Sequence, residues 1–194
     1  MKSNPPFRLL CLLAVVLIPV EAGAQNKRKT IKEIREKAEP GPNHALLDPC
    51  VGEWKVRMQY RLKPDSNPET AVGKAEIRWI LGKRFLEQTI EGKGAAGSLE
   101  GIGLIGYDNI RKKYTATWIN TMSTGQMRAT GAVAGDRRTF QFKATATDPI
   151  DGKEKQFDMV FRIVDANTLQ YLVYAPNPDG GDRITMMNIG YQRK

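Results

Sequence analysis

From Gly52 to Leu62 the chain alternates without a break, with Trp54, Val56, Met58, Tyr60 and Leu62 on one face and Glu53, Lys55, Arg57, Gln59 and Arg61 on the other. A period of two belongs to a β-strand with one dry face and one wet face. Such a strand leaves backbone donors and acceptors unpaired on both edges, so the rest of the chain must supply neighbours. Further β-rich runs follow at roughly ten-residue spacing. They cover Val72–Leu81, Phe85–Glu91, Leu99–Asp108, Lys113–Asn120, Gln126–Ala134, Thr139–Thr147, Glu154–Val164, Thr168–Tyr174 and Asp182–Gln192. Turn residues separate them, among them Lys63-Pro64-Asp65, Gly82-Lys83, the glycine-rich Gly92–Gly97 and Asp151-Gly152. Loops this short join antiparallel neighbours, which predicts a meander of about ten strands. Closing the meander into a barrel removes its edges; a two-sheet sandwich is the alternative.

The residues before Gly52 read as three pieces. Residues 1–24 have the pattern of a secretory leader: basic Lys2 and Arg8, apolar Leu9 to Val20, then the small Ala22-Gly23-Ala24. The apolar run is too short for a membrane-spanning helix, which needs about 20 residues. A mature protein beginning at Gln25, periplasmic or secreted and without a transmembrane segment, is therefore expected. Cys11 leaves with the leader, so the remaining thiol, Cys50, has no internal disulfide partner and reads as a buried small hydrophobe.

Residues 25–42 form a basic arm and linker. Thr30-Ile31-Lys32-Glu33 offers a capping box, Ile31, Ile34 and Ala38 recur at helical spacing, and Pro40-Gly41-Pro42 ends the segment. The arm contributes to a formal net charge of +9 for the whole chain. That balance suits an anionic envelope surface as partner. It lacks the interleaved aromatic and basic residues of nucleic-acid readers, so no nucleic acid is expected. The barrel domain then occupies residues 43–194. It opens on one helical turn, His44 to Leu47, capped by Asn43, whose leucines are placed to plug the closed end.

Several stretches together resemble one known family. They are His44-Ala45-Leu46-Leu47, Gly52-Glu53-Trp54, Gly82-Lys83-Arg84-Phe85, the run Glu100 to Asp108 with its Gly106-Tyr107-Asp108, and Tyr114 to Met122 with its Trp118-Ile119-x-x-Met122. They look like the domain-of-unknown-function family 1579, from about Asn43 to the C-terminus. The resemblance implies a bacterial, lipocalin-like barrel with no established activity. It also implies that a basic side chain near the chain's end covers the Gly-x-Trp indole; Arg193 is the candidate here for Trp54. Members often carry aspartate where this chain has Asn120, so any chemistry of that carboxylate is lost here.

Catalytic apparatus is not visible. His44 is the sole histidine, and a lone imidazole makes no multi-ligand metal site, so no metal or cofactor is expected. Haem-binding barrels of the nitrobindin kind use a histidine in the C-terminal part, where this chain has none. Ser98 and Ser123 lie in loops without a nucleophile elbow, and Gly92–Gly97 lacks the Gly-Lys-Ser/Thr ending of a phosphate loop. Alternation turns Leu86, Gln88 and Ile90 inward and leaves Glu87 and Glu91 in solvent.

What remains is an apolar lining with sparse polar groups, the make-up of a small-molecule pocket. Its candidate ligand-binding residues are Trp79, Gln88, Tyr107, Trp118, Asn120 and Tyr171. A filled core has the same sequence pattern. The expected function is a binding module for a small apolar or aromatic molecule. The alternatives are an isomerase- or cyclase-type enzyme using the cavity with Asn120 or Tyr107, and an envelope-interaction protein acting through its basic arm.

Overall fold

The computed structural model describes residues 20–95, 97–148, 151–177 and 179–194. The leader's apolar run therefore lies outside the described residues except for Val20. The chain divides into two compact units, residues 1–37 and 38–194.

The described part of the first unit is a helix, α1, Val20–Ala38. It begins well before Thr30, so Thr30-x-x-Glu33 lies inside the helix and not at its start, as the capping-box reading had it. Strong helix formers from Glu21 onward, with few β-branched residues among them, let the helix run through that point. Lys32 and Glu36 pair across one turn at 3.8 Å, in an exposed contact that contributes little.

The second unit is a closed antiparallel barrel of ten strands. In order these are β1 Gly52–Tyr60, β2 Glu69–Ile80, β3 Phe85–Gly94, β4 Gly97–Asp108, β5 Lys113–Asn120, β6 Met127–Val133, β7 Thr139–Thr147, β8 Glu154–Ile163, β9 Thr168–Ala175 and β10 Ile184–Arg193. Each strand pairs with the next, and β10 returns to β1 with Trp54 opposite Arg193 and Tyr60 opposite Met187. The sandwich alternative is thereby excluded. Several strand ends differ from expectation, β2 for instance beginning at Glu69 and not at Val72, and two of the differences reshape a turn. Leu62 leaves the alternating face: β1 ends at Tyr60 and Leu62 is exposed, in a turn where the Arg61 guanidinium donates to the Ser66 carbonyl. The expected Gly92–Gly97 loop shrinks, because β3 and β4 stay paired as far as Gly94 opposite Gly97.

Alternation decides what faces in. In β1, Trp54, Val56 and Met58 are buried while Glu53, Lys55, Arg57 and Gln59 are exposed. On the outer wall Glu87 pairs with Arg78 and Glu91 with Lys74; both face outward as read from the sequence, Glu91 in solvent and Glu87 half-buried.

One end of the barrel is sealed by the residues before β1. A short helix, α2, Pro42–Ala45, and a 3-10 turn, Asp48–Cys50, fold across it. The N-cap of α2 is Gly41 and not Asn43, because His44 takes the third helical position and its Nδ1 accepts the Gly41 N–H at 3.1 Å. The plug is pinned on several sides. Tyr114 Oη donates to Asn43 O at 2.8 Å, Trp79 Nε1 donates to Asp48 Oδ1 at 2.8 Å, and Asn109 Nδ2 donates to Glu39 O at 2.8 Å. A run of ring contacts, His44 to Tyr107 to Tyr114 to Phe140 to Phe161, carries the packing from plug into barrel at centroid spacings of 5.0–6.0 Å. Leu47, Trp54, Leu86, Tyr114, Phe140 and Leu169 are all 1% exposed or less. Burying a side chain of this size contributes about 1.5–3 kcal/mol, so this end holds much of the fold's stability.

Trp54 is the keystone of the seal. Its Nε1 donates to Cys50 O at 3.0 Å, and the Arg193 guanidinium lies over its ring at 4.2 Å, as the family resemblance implied. Arg193 also donates to the carbonyls of Val51, Pro49 and Ala166, each at 2.8 Å. Gly52 makes this possible. Its φ of +141° disfavours other residues, and a Cβ there would sit 2.3 Å from Arg193 Nη1. The Gly-x-Trp pattern thus has a steric cause at both of its fixed positions.

Candidate functional site

Away from the plug the interior changes character. The inward positions Tyr60, Leu99, Ala116, Trp118, Met127, Phe157, Tyr171 and Met187 pack on the core yet keep part of their surface open. Tyr171 faces inward and is not fully covered. Uncovered inward surface of this kind borders the barrel mouth or an internal space. A barrel of ten strands is wide enough to leave one, since about eight strands give an interior that side chains fill.

One row of the wall is built around glycine. Gln88 on β3 lies opposite Gly103 on β4, and Gly103 lies opposite Trp118 on β5. A Cβ on Gly101 would meet Trp118 Cζ2 and Cη2 at 2.2 and 2.4 Å, and a Cβ on Gly103 would meet Cε3 at 3.1 Å. The six-membered ring of the indole therefore lies over both glycines, along the wall. A side chain at Gly101 would force the ring off the wall, and one at Gly103 would press on it.

Polar groups are few and neutral. Gln88 Nε2 donates to Tyr191 Oη at 2.8 Å, linking β3 to β10. Tyr171 Oη donates to Met159 Sδ at 3.3 Å, a weak acceptor that leaves the oxygen's own acceptor capacity unused by that contact. Burial pushes the Tyr191 phenol up to about 12, against a smaller downward pull from the Gln88 hydrogen bond, and pushes Tyr171 up further. Both hydroxyls stay protonated at neutral pH and serve as hydrogen-bonding groups, not as bases. Charged residues on the inward register lie at the two ends. Glu69 at the open rim accepts from Tyr60 Oη at 2.9 Å, Lys155 pairs with Asp148 and Asp151, and Arg193 belongs to the floor.

Of the six residues singled out from sequence, Gln88, Trp118 and Tyr171 are on the inward register of β3, β5 and β9 and only partly buried. Trp79 and Tyr107 sit at the sealed end, tied to Asp48 and stacked between His44 and Tyr114 respectively. Asn120 is at the opposite rim, where its Oδ1 accepts the Met122 N–H at 2.8 Å and shapes the loop after β5. Tyr191 and the glycine pair 101/103 were missed. Alternation of Ile189 with Tyr191 signalled the first, and Gly101-x-Gly103 inside a strand signalled the second.

Nucleophiles and bases are poorly placed for chemistry here. Cys50 is 1% exposed, and burial raises its thiol to about 12, far from a reactive thiolate. His44 is held in the plug, its basicity lowered chiefly by burial, with the nearby Arg84 charge adding to it and a hydrogen bond to the Tyr107 backbone opposing it. Among the described residues no three His, Cys, Asp or Glu side chains come together as a metal site would require.

The profile of the family "Protein of unknown function (DUF1579)" matches residues 39–193. The chain belongs to this family. No curated protein matches it. Among solved structures it is similar to a redesigned β-barrel, mFAP0, bound to DFHBI, at 13% identity and a TM-score of 0.40 over 75% of this chain and 100% of that one. A second is EF1p2_mFAP2b bound to DFHBI, at 11% identity and 0.42 over 78% and 98%. A third is the redesigned barrel b11L5F_LGL, at 12% identity and 0.39 over 78% and 95%. The DUF1579 match agrees with the family read from the motifs, and the ten-strand closure agrees with the expected barrel. No helix among the described residues is long and apolar enough to cross a membrane.

Proposed function

We propose that this DUF1579 protein is an exported binding module that holds a small apolar or aromatic molecule in the barrel lumen, without covalent chemistry. The observation that carries the reading is the contrast between the two ends. Most large side chains at the plug are covered, Trp79 and Tyr107 excepted, whereas Trp118, Tyr171, Met127 and Phe157 face inward along the lumen with surface to spare. Open apolar surface inside a protein is a loss unless something occupies it, because dispersion contacts and water exclusion are both forgone. The leader-like residues 1–24 support export to the periplasm or beyond.

Diphenylhexatriene, which fluoresces on entering a dry environment, tests the reading. Its emission should rise saturably, with energy transfer from tryptophan, at one molecule per chain. Trp118→Ala should weaken this binding about tenfold or more, the equivalent of roughly 1.4 kcal/mol. Unfolding midpoints should move far less than for a change at the plug. Absence of saturable binding would refute the function.

A further inference from the structure

The lumen's chemistry narrows what it can hold. Resting on the binding reading above, we infer that the site selects an uncharged, planar aromatic molecule carrying a carbonyl or hydroxyl oxygen. Its ring stacks on Trp118 and its oxygen meets the Gln88 and Tyr191 pair.

Three features point to this class. First, the indole of Trp118 lies along Gly101 and Gly103 and is only partly buried, so its ring lies along the wall on the inward face of β5. A flat ring presented this way favours offset stacking over the contacts an alkyl chain makes. Second, one polar group, Gln88, is on the same row, and it carries Tyr191 with it through their hydrogen bond. Gln88 is two strands from Trp118, with only Gly103 between them, so the stacked ring and the Gln88 amide are about 10 Å apart at the backbone, from the strand spacing.

The Gln88–Tyr191 contact leaves groups to spare. Gln88 uses one Nε2 proton on Tyr191 Oη, which leaves a second N–H and Oε1; Tyr191 accepts that bond and keeps its own proton to donate. A ligand oxygen at this point receives a hydrogen bond, and a ligand hydroxyl can also give one. Third, the inward charges are confined to the rim and the floor and are engaged there. A carboxylate in mid-lumen has no cation to meet, and burying it unpaired is heavily unfavourable.

Equilibrium dialysis of the full chain against four probes tests this: 2-acetylnaphthalene, 2-ethylnaphthalene, 2-naphthoate and 1-decanol. At pH 7 the acetyl compound should bind about tenfold more tightly than the ethyl compound, which lacks the oxygen. It should bind at least about tenfold more tightly than the naphthoate, which is charged. Gln88→Leu should bring the acetyl and ethyl compounds to within about twofold of one another. Tyr191→Phe is the second variant, expected to reduce the same preference and to serve should Gln88→Leu not fold.

Naphthoate binding as well as the acetyl compound, decanol binding best, or the oxygen preference surviving both variants overturns the inference. Diphenylhexatriene binding under any of those outcomes leaves the lumen a binding site of another selectivity. If neither it nor any probe binds, the binding function and its selectivity fall together.

Discussion

Replacing Arg193 by alanine should unseat the barrel's sealed end. In the native fold its guanidinium lies 4.2 Å from the Trp54 ring and donates to three backbone carbonyls. A cation over an indole is worth about 0.5–2 kcal/mol, towards the upper end when the pair is dry, as the buried Trp54 side is. The carbonyls of Pro49 and Ala166 are on exposed residues, so water replaces Arg193 there and little is lost. Val51 is half-buried, and its contact with a charged donor adds about 1–2 kcal/mol. The loss should therefore be about 2–4 kcal/mol, or roughly 4–16 °C in melting temperature for a chain of this size.

Urea unfolding followed by tryptophan emission and circular dichroism measures it, with a native-state red shift as water reaches Trp54. Arg193→Lys keeps the charge but loses the planar fork, and should recover less than half of the loss. Gly52→Ala reaches the same contact from the other side, by placing a Cβ where Nη1 now lies and by straining a φ of +141°. If Arg193→Ala lies within about 0.5 kcal/mol of the native protein, the range of an ordinary surface change, the latch is not what seals the barrel.

Three other outcomes are expected. Gly101→Ala should push the Trp118 ring off the wall, since the new Cβ would lie 2.2 Å from Cζ2. It should lower lumen binding by about tenfold while the far-UV spectrum stays native; unchanged diphenylhexatriene affinity would contradict the flat placement of the indole. His44 should make acid destabilising. Its folded pKa lies below the usual 6.5, so its contribution is present above 6.5 and is lost as pH falls from there towards the folded value. Protonation also puts a proton on Nδ1, which now accepts from Gly41. The difference in stability between native protein and His44→Gln should shrink below pH 6.5, and a difference that does not change with pH refutes it. Finally, protein recovered from the exported fraction should begin at Gln25 on N-terminal sequencing, and an intact Met1 in a membrane fraction would contradict the leader.

The barrel was legible in the sequence because a two-residue period is a local property that survives without knowledge of partners. Trp54-x-Val56-x-Met58 and Phe140-x-Phe142-x-Ala144 declare their buried faces, and short turns between them leave antiparallel pairing as the available connection. The same alternation turned Gln88 inward and Glu87 outward. Which end of the lumen an inward residue occupies depends on shear and on what covers the mouth, and neither is local. Trp79 and Tyr107 therefore have the same sequence credentials as Trp118 and Tyr171, but the plug of residues 42–50 takes the first pair into the floor. Only closure of β10 on β1 brings Tyr191 within reach of Gln88, 103 positions away. Only strand register sets Gly101 and Gly103 beneath an indole on the neighbouring strand, because a glycine's empty side is defined by what leans across it.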